Sequence, residues 1–154
     1  MRRTDREVTD RAAIDDVLNR ARVFSMAMVD KGMPYVVPLS FGYDGKALYV
    51  HGAPDGRKVD ALKADSRVCF TAVSDDELVK AETACSYGVK ARSVIGTGRV
   101  EYINDPAGKR AGLDIIMNHY AKGSFTYPDD MIKRTAVFKV VIESVTMKSI
   151  GYAK

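Results

Sequence analysis

The residues of this chain whose types and spacing can do chemistry concentrate in Tyr49-Val50-His51-Gly52-Ala53-Pro54-Asp55-Gly56-Arg57-Lys58. An apolar strand ends there in a glycine-containing loop, and a helix opens with two adjacent cations. A helix N-terminus presents free N–H groups and the positive end of the peptide dipoles. Arg57 and Lys58 in its first turn complete an anion site, and phosphate is the natural occupant. The alternative makes both residues solvated surface charges. It leaves unexplained why cations stand where they slightly oppose the dipole.

His51, one of two histidines, ends the strand on the loop side of that site. Two roles are open to it: a hydrogen-bonded structural residue, or an acid–base group near its ordinary pKa of about 6.5. His119 falls in a helical stretch whose apolar stripe is already supplied by Leu113, Ile116, Met117 and Tyr120, and it receives no role. Neither histidine has a partner at metal-ligand spacing, so no zinc or iron site is expected. A second candidate edge is Val36-Val37-Pro38-Leu39-Ser40. Pro38 removes a ladder N–H, which confines the segment to a sheet edge or a bulge. The neighbouring backbone donors can then serve an aromatic heterocycle rich in acceptors, or the edge is simply protected against aggregation.

The elements that must position these residues follow from periodicity. Ile14, Val17, Leu18 and Ala21 mark an entry helix capped by Thr9 or Asp10. Three consecutive antiparallel strands are expected over 23–29, 34–41 and 47–51, with turns at Asp30-Lys31-Gly32 and Asp44-Gly45. About two helical turns after Gly56 lead to a fourth strand over 67–73, and acidic Ser74 to Glu82 reads as a solvated excursion. A long strand from about Cys85 to Ile103 carries Gly88, Gly96 and Gly98, where strong curvature calls for a missing side chain or a bulge. Asn104-Asp105-Pro106 opens a helix that Gly123 ends, Pro128 to Arg134 forms a helical turn, and a last strand covers 136–142. The prediction is one domain over 1–154, mainly β: a six-stranded antiparallel barrel with helical covers.

At 154 residues and 46% hydrophobic the chain can bury one sizeable core. No apolar run approaches the roughly 20 residues of a membrane span, and Met1-Arg2-Arg3-Thr4-Asp5-Arg6 has no apolar stretch behind it. No membrane association is expected. Cys69 and Cys85, in apolar strand-like surroundings, read as free thiols in a cytoplasmic protein. The 24 Lys and Arg are interleaved with 20 Asp and Glu without a basic stripe, which argues against nucleic acid as a partner.

Together these segments resemble the pyridoxamine 5'-phosphate oxidase-like FMN-binding split barrels, and within them the nitroimidazole-resistance branch. The likeness is carried by Met1-Arg2-Arg3-Thr4-Asp5-Arg6-Glu7-Val8, by Lys31 through Tyr43, by Leu48-Tyr49-Val50-His51-Gly52-Ala53 with Gly56-Arg57-Lys58, and by Tyr87 through Gly98. The resemblance implies flavin mononucleotide (FMN) as cofactor. The backbone at Val37, Pro38 and Leu39 would line the isoalloxazine ring, Tyr49, Val50 and His51 its other flank, and Arg57 and Lys58 its phosphate. Ser93 stands where related oxidases have a polar residue that reaches the flavin, in sites built between two subunits. A homodimer is therefore implied.

The chain has no tryptophan and lacks the C-terminal arginine and tryptophan contacts of the true oxidases, so vitamin B6 oxidation is not the expected reaction. The expected function is electron transfer from a reduced donor through FMN to a small electron-poor acceptor such as a nitroimidazole, with His51 positioning or protonating the acceptor. The alternatives are a non-catalytic flavin carrier or sensor, or a split barrel holding deazaflavin or haem.

Overall fold

The structure, a computed structural model, describes residues 4–152. Met1-Arg2-Arg3, which begin the resemblance, and Ala153-Lys154 lie outside them. After a short β1 (Glu7–Val8), Asp10 caps α1 (Arg11–Arg20) by accepting from the Ala13 N–H at 3.0 Å. Of the two expected caps, Asp10 does the work, and Ile14, Val17 and Leu18 are the buried stripe. β2 (Phe24–Asp30) and β3 (Met33–Leu39) form a hairpin whose two turn residues, Lys31 at φ 51° and Gly32 at φ 82°, both take positive φ. That is the turn whose twist matches an antiparallel pair. β4 (Gly42–Tyr43), β5 (Ala47–Gly52), α2 (Arg57–Ala64), β6 (Arg67–Val79) and β7 (Gly88–Ile103) follow. The chain closes through α3 (Pro106–Tyr120), α4 (Asp129–Arg134) and β8 (Ala136–Ile150).

The strands run in the order β3-β2-β6-β7-β8-β5-β4, with β1 paired to β8. This is a mainly antiparallel split barrel of eight strands rather than six. The two extra strands are two residues each, too short to leave a period in the sequence. The expectation of three consecutive paired strands is also corrected. β3 pairs only β2, β5 pairs β4 and β8, and the two lie towards opposite ends of the order. Pro34 and Pro38 suit β3 to its free edge, where a missing N–H costs no ladder bond. The barrel core is aromatic at its centre: Phe24, Phe41, Phe70 and Phe138 are all essentially inaccessible. Phe24 and Phe41 pack with ring centroids 5.0 Å apart.

Ser74 to Val79 continues β6 as strand rather than forming an excursion, with Asp76, Glu77 and Leu78 still exposed, and β7 supplies opposite charges. Asp75 pairs with Arg20 and lies 3.8 Å from Arg92, and Glu77 receives Lys90 at 3.2 Å. In β7 the expected glycine roles divide. A Cβ at Gly96 would overlap the Phe70 ring, one at Gly98 would overlap the Val141 carbonyl beside a register shift, and Gly88 meets nothing. α3 is capped by Asp105 and ends at Tyr120, before the expected stop at Gly123. Leu113 and Ile116 are buried as expected, whereas Tyr120 is exposed and uses its hydroxyl, accepting from Phe41 N and donating to the Arg22 carbonyl. β8 runs on to Ile150, since β7 pairs with it beyond the exposed Glu143-Ser144 break. Both cysteines are free and exposed, and Cys85 sits in a 3-10 turn rather than in strand-like apolar surroundings.

Candidate functional site

Strand alternation decides what β5 can offer, because successive side chains point to opposite faces. Val50 faces inward and is fully buried in the barrel core. Ala47 and Tyr49 face outward, where α3 and α4 cover them in a second apolar cluster with Leu113, Ile116, Ile132 and Val137. The Tyr49 hydroxyl donates to Asp44 at 3.0 Å. His51 shares the face of Tyr49 but sits at the rim of the cover and is exposed. The expectation that Tyr49, Val50 and His51 flank one ligand therefore divides among three settings.

Beyond His51 the strand ends at Gly52, and the Lys58 side chain lies across it. A Cβ at position 52 would stand 2.9 Å from Lys58 Nζ, so glycine makes room for the ammonium. Nζ is also 5.6 Å from the Phe138 ring centroid. Burial lowers the Lys58 pKa from its ordinary value. Among the described residues no carboxylate or other acceptor bonds this ammonium. A partly desolvated cation without a counter-charge is costly unless something supplies one. The N-terminus of α2 stands beside it: Gly56 takes φ +101° as N-cap, and no side chain caps the first turn. Its amides and the ammonium form one electropositive corner.

Arg57 behaves differently from its neighbour. Its Nε donates to Asp30 Oδ2 at 2.7 Å, and its guanidinium stacks 4.2 Å from the Tyr35 ring centroid. It thus ties α2 to the β2–β3 hairpin. The fork keeps N–H donors beyond the one spent on Asp30. His51 is held below its usual pKa, first because the protein packed around its ring partly desolvates it even though the side chain keeps an exposed edge, and second by the Lys58 charge. Near neutral pH it is an uncharged imidazole, able to donate from one nitrogen and accept at the other. Its ring also borders an apolar pocket of about 240 Å³ between α3 and α4.

On β3, Val37 and Leu39 point towards the core and are half-buried, while Pro38 points out and is exposed. Ser93, half-buried on β7 between Val73 and Lys148, makes no hydrogen bond or ion pair with His51, Arg57 or Lys58. Within one chain the structure brings His51 to Lys58 and, separately, Arg57 to Asp30 and Tyr35 of the β2–β3 hairpin, and Ser93 bonds to none of them. Sequence reasoning missed Asp30, Tyr35 and Gly52. Asp30 looked like a turn residue and Gly52 like loop, and only the folded hairpin shows that they place the two cations.

An open-edged split barrel with an electropositive corner at the end of its fifth strand defines a class of small-molecule-binding folds, and sequence comparison makes the class specific. The pyridoxamine 5'-phosphate oxidase family matches residues 10–149, and the chain belongs to that family. A crystal structure of a candidate 5-nitroimidazole antibiotic resistance protein from Bacteroides thetaiotaomicron is 36% identical, with 92% of this chain and 85% of that one covered and a TM-score of 0.84. The flavocytochrome Anf3 from Azotobacter vinelandii is 26% identical over 99% of this chain and 72% of that one, with a TM-score of 0.86. The FAD- and haem-binding protein from Mycobacterium smegmatis shares the fold at 23% identity, over 97% of this chain and 76% of that one, with a TM-score of 0.85. Curated proteins give no match. No described helix is long and apolar enough to cross a membrane.

Proposed function

We propose that this protein is a homodimeric FMN-binding oxidoreductase that passes electrons from a reduced donor to a small electron-poor acceptor of the nitroimidazole type. The observation that carries the reading is Lys58. A half-buried ammonium lying over a glycine, beside an uncapped helix N-terminus and with no acidic partner among the described residues, fits a ligand phosphate. Arg57 would add its free guanidinium N–H groups to the same phosphate while Asp30 and Tyr35 hold it in place. From that corner the β3 edge at Val37, Pro38 and Leu39 offers unpaired backbone groups to the polar rim of a flavin ring. When bound, the flavin supplies the two-electron redox chemistry. The chain supplies position, and His51 supplies a neutral imidazole that can orient the acceptor or hand it a proton. The family and the 36% identical nitroimidazole-resistance relative support the acceptor class.

The dimer rests on the outer face of β3, β2, β6 and β7. Val36 is 60% exposed, Val29 47% and Ile95 55%, and a groove of about 620 Å³ lined by Ala27, Pro34, Cys69 and Thr97 crosses the same face. An open face of this kind, apolar at Val29, Val36 and Ile95 and bordered by Asp65, Arg67 and Glu143, suits a symmetric self-contact. Ser93 borders it on β7, so a second copy would bring its own Ser93 to a shared site. The test is titration of purified protein with FMN and with riboflavin, followed by light scattering. FMN should bind at least about tenfold more tightly, because charge-assisted phosphate contacts are worth some 1.5–3 kcal/mol. Equal affinities, a haem absorption band in place of flavin bands, or a monomer holding flavin tightly would overturn the proposal.

A further inference from the structure

The half-buried lysines of this chain differ in what holds their protons. Lys90 lies 3.2 Å from Glu77, Lys139 lies 3.8 Å from Glu101, and Lys109 Nζ donates to the carbonyls of Ile132 at 3.2 Å and Thr135 at 2.7 Å. Each of these groups has an oxygen that favours its charged form. Among the described residues Lys58 has none. Its Nζ lies over Gly52, 2.9 Å from where a Cβ would stand, and 5.6 Å from the Phe138 ring centroid. A bare stretch of backbone and an aromatic face desolvate the nitrogen without offering it a carboxylate. A lysine desolvated in this way carries more free amine at neutral pH than one in water, and the free amine is the nucleophile. Beside it, the first-turn amides of α2 have no side-chain cap, and they can hold an anionic group without consuming the amine. Nucleophile and anion site stand together, which is the pairing that group transfer from a phosphate anhydride requires.

We propose that Lys58 is a covalent modification site for acyl phosphates, which dock their phosphate on the first turn of α2 and transfer their acyl group to Nζ. In this step the Nζ lone pair attacks the carbonyl carbon, and an N–C bond forms. The C–O bond to phosphate breaks, and its electron pair leaves with the phosphate. The proton lost from Nζ goes to the same phosphate, which departs as hydrogen phosphate. No oxidant or reductant takes part. The product is a neutral amide, so the acylated chain has lost the charge at this corner and carries an acyl group in its place. That acylation and flavin exclude one another rests on the proposed flavin reading; that Lys58 is acylated does not.

The experiment incubates the purified protein, flavin-free and FMN-saturated, with acetyl phosphate near neutral pH and follows each lysine by peptide mass spectrometry. In flavin-free protein Lys58 should be acetylated at least about tenfold faster than Lys63, which is exposed in the last turn of the same helix, because docking places the carbonyl beside the amine. Its rate should saturate with acetyl phosphate, and inorganic phosphate should slow it while leaving Lys63 unchanged. With 4-nitrophenyl acetate, which carries no phosphate, the preference for Lys58 should fall below about threefold, since desolvation of the amine is then its only cause. Lys58→Arg, which keeps the charge but cannot form the amide under these conditions, should lose this fast phase alone. Acetylation of Lys58 no faster than Lys63, or the same preference with both donors, overturns the proposal. Protein that is acetylated preferentially at Lys58 but binds no FMN retains the modification site and sinks the flavin reading. Protein that binds FMN, yet shows no preference for Lys58 when flavin-free, does the reverse.

Discussion

The two ends of β5 are built on opposite principles. At its beginning, every polar group that folding buries has a partner. Asp44 accepts from the Lys46 and Ala47 N–H groups at 2.8 and 2.7 Å and from the Tyr49 hydroxyl at 3.0 Å. Close by, Tyr43 donates to Asp15 at 2.6 Å and receives Arg11 at 2.5 Å. Burial, followed by the Asp15 bond for Tyr43 and the Asp44 bond for Tyr49, pushes both phenols up to about 12. At its end, Lys58 and His51 are partly desolvated and lose proton affinity for that reason, His51 also because Lys58 is charged, and neither has an opposite charge to offset it. A closed network is finished when the chain has folded. An open one is finished by something else, and the difference separates structural polar residues from ligand-binding ones on a single strand.

The sharpest way to break this comparison is Lys58→Met, which keeps the apolar stem on Phe138 and removes only the charge. FMN affinity should fall about a hundredfold while riboflavin affinity changes less than about threefold, since the lost contact is charge-assisted. Arg57→Ala should cost FMN less than about tenfold, because Arg57 already spends part of its fork on Asp30. Parallel losses for FMN and riboflavin would remove the corner from phosphate binding. The companion test is His51→Ala. The dimer should fold and bind flavin, since the side chain is exposed at the strand end, and reoxidation of reduced flavin by a nitroimidazole should slow about a hundredfold. Flavin reduction should change less. Wild-type reoxidation in a stopped-flow experiment would leave His51 without a part in electron transfer.

How far the sequence carries this comparison depends on the range of the interactions involved. The strand at 47–51, the helix after Gly56 and the two cations are legible because they are local: alternation, a glycine break and a first turn. Asp105 before Pro106 is a local cap and was equally readable. The pairing of β5 with β8, 88 or so residues later, is invisible to periodicity, as is the crossing from β3 to β4 that makes the barrel split. Acidic composition misled at Ser74 to Val79, because Lys90 and Arg92, which neutralise it, arrive only with the β6–β7 register. The same limit hid the site's asymmetry. Arg57 and Lys58 are adjacent in sequence and equivalent in type, and only Asp30 on a different strand makes one a tether and the other an unpaired charge.

At the closed end, Asp44→Ala should lower stability by about 2 kcal/mol in urea titration, since two backbone N–H groups and a buried phenol lose their acceptor. FMN affinity should stay within about twofold. Although burial alone would raise the Asp44 pKa, the Ala47 and Lys46 N–H bonds outweigh it and hold the carboxylate below its ordinary value. Its stabilising share is therefore present above about pH 4 and lost as pH falls through the lowered folded pKa, and the mutant should lack that acid-side loss. A mutant as stable as wild type at pH 7 would show that the network is not closed after all.

The smallest expected effect sharpens the open end. His51 lies below 6.5 first because neighbouring protein partly desolvates its ring and second because Lys58 is charged, so the two causes can be removed separately. In Lys58→Met the Coulombic cause vanishes and the desolvation remains. The His51 pKa should rise, yet stay below that of an exposed imidazole. In wild-type protein, a bound phosphate dianion acts in the same direction, so FMN should also raise it, and by linkage FMN should bind somewhat more tightly as pH falls through the His51 transition. With only two histidines in the chain, proton NMR resolves the titration directly. His119, bonded through Nε2 to the Ala21 carbonyl at 2.7 Å and packed against Phe41, has no contact with Lys58. A His51 curve that moves down in Lys58→Met, or that ignores FMN, would mean that the ammonium and the imidazole do not share one site.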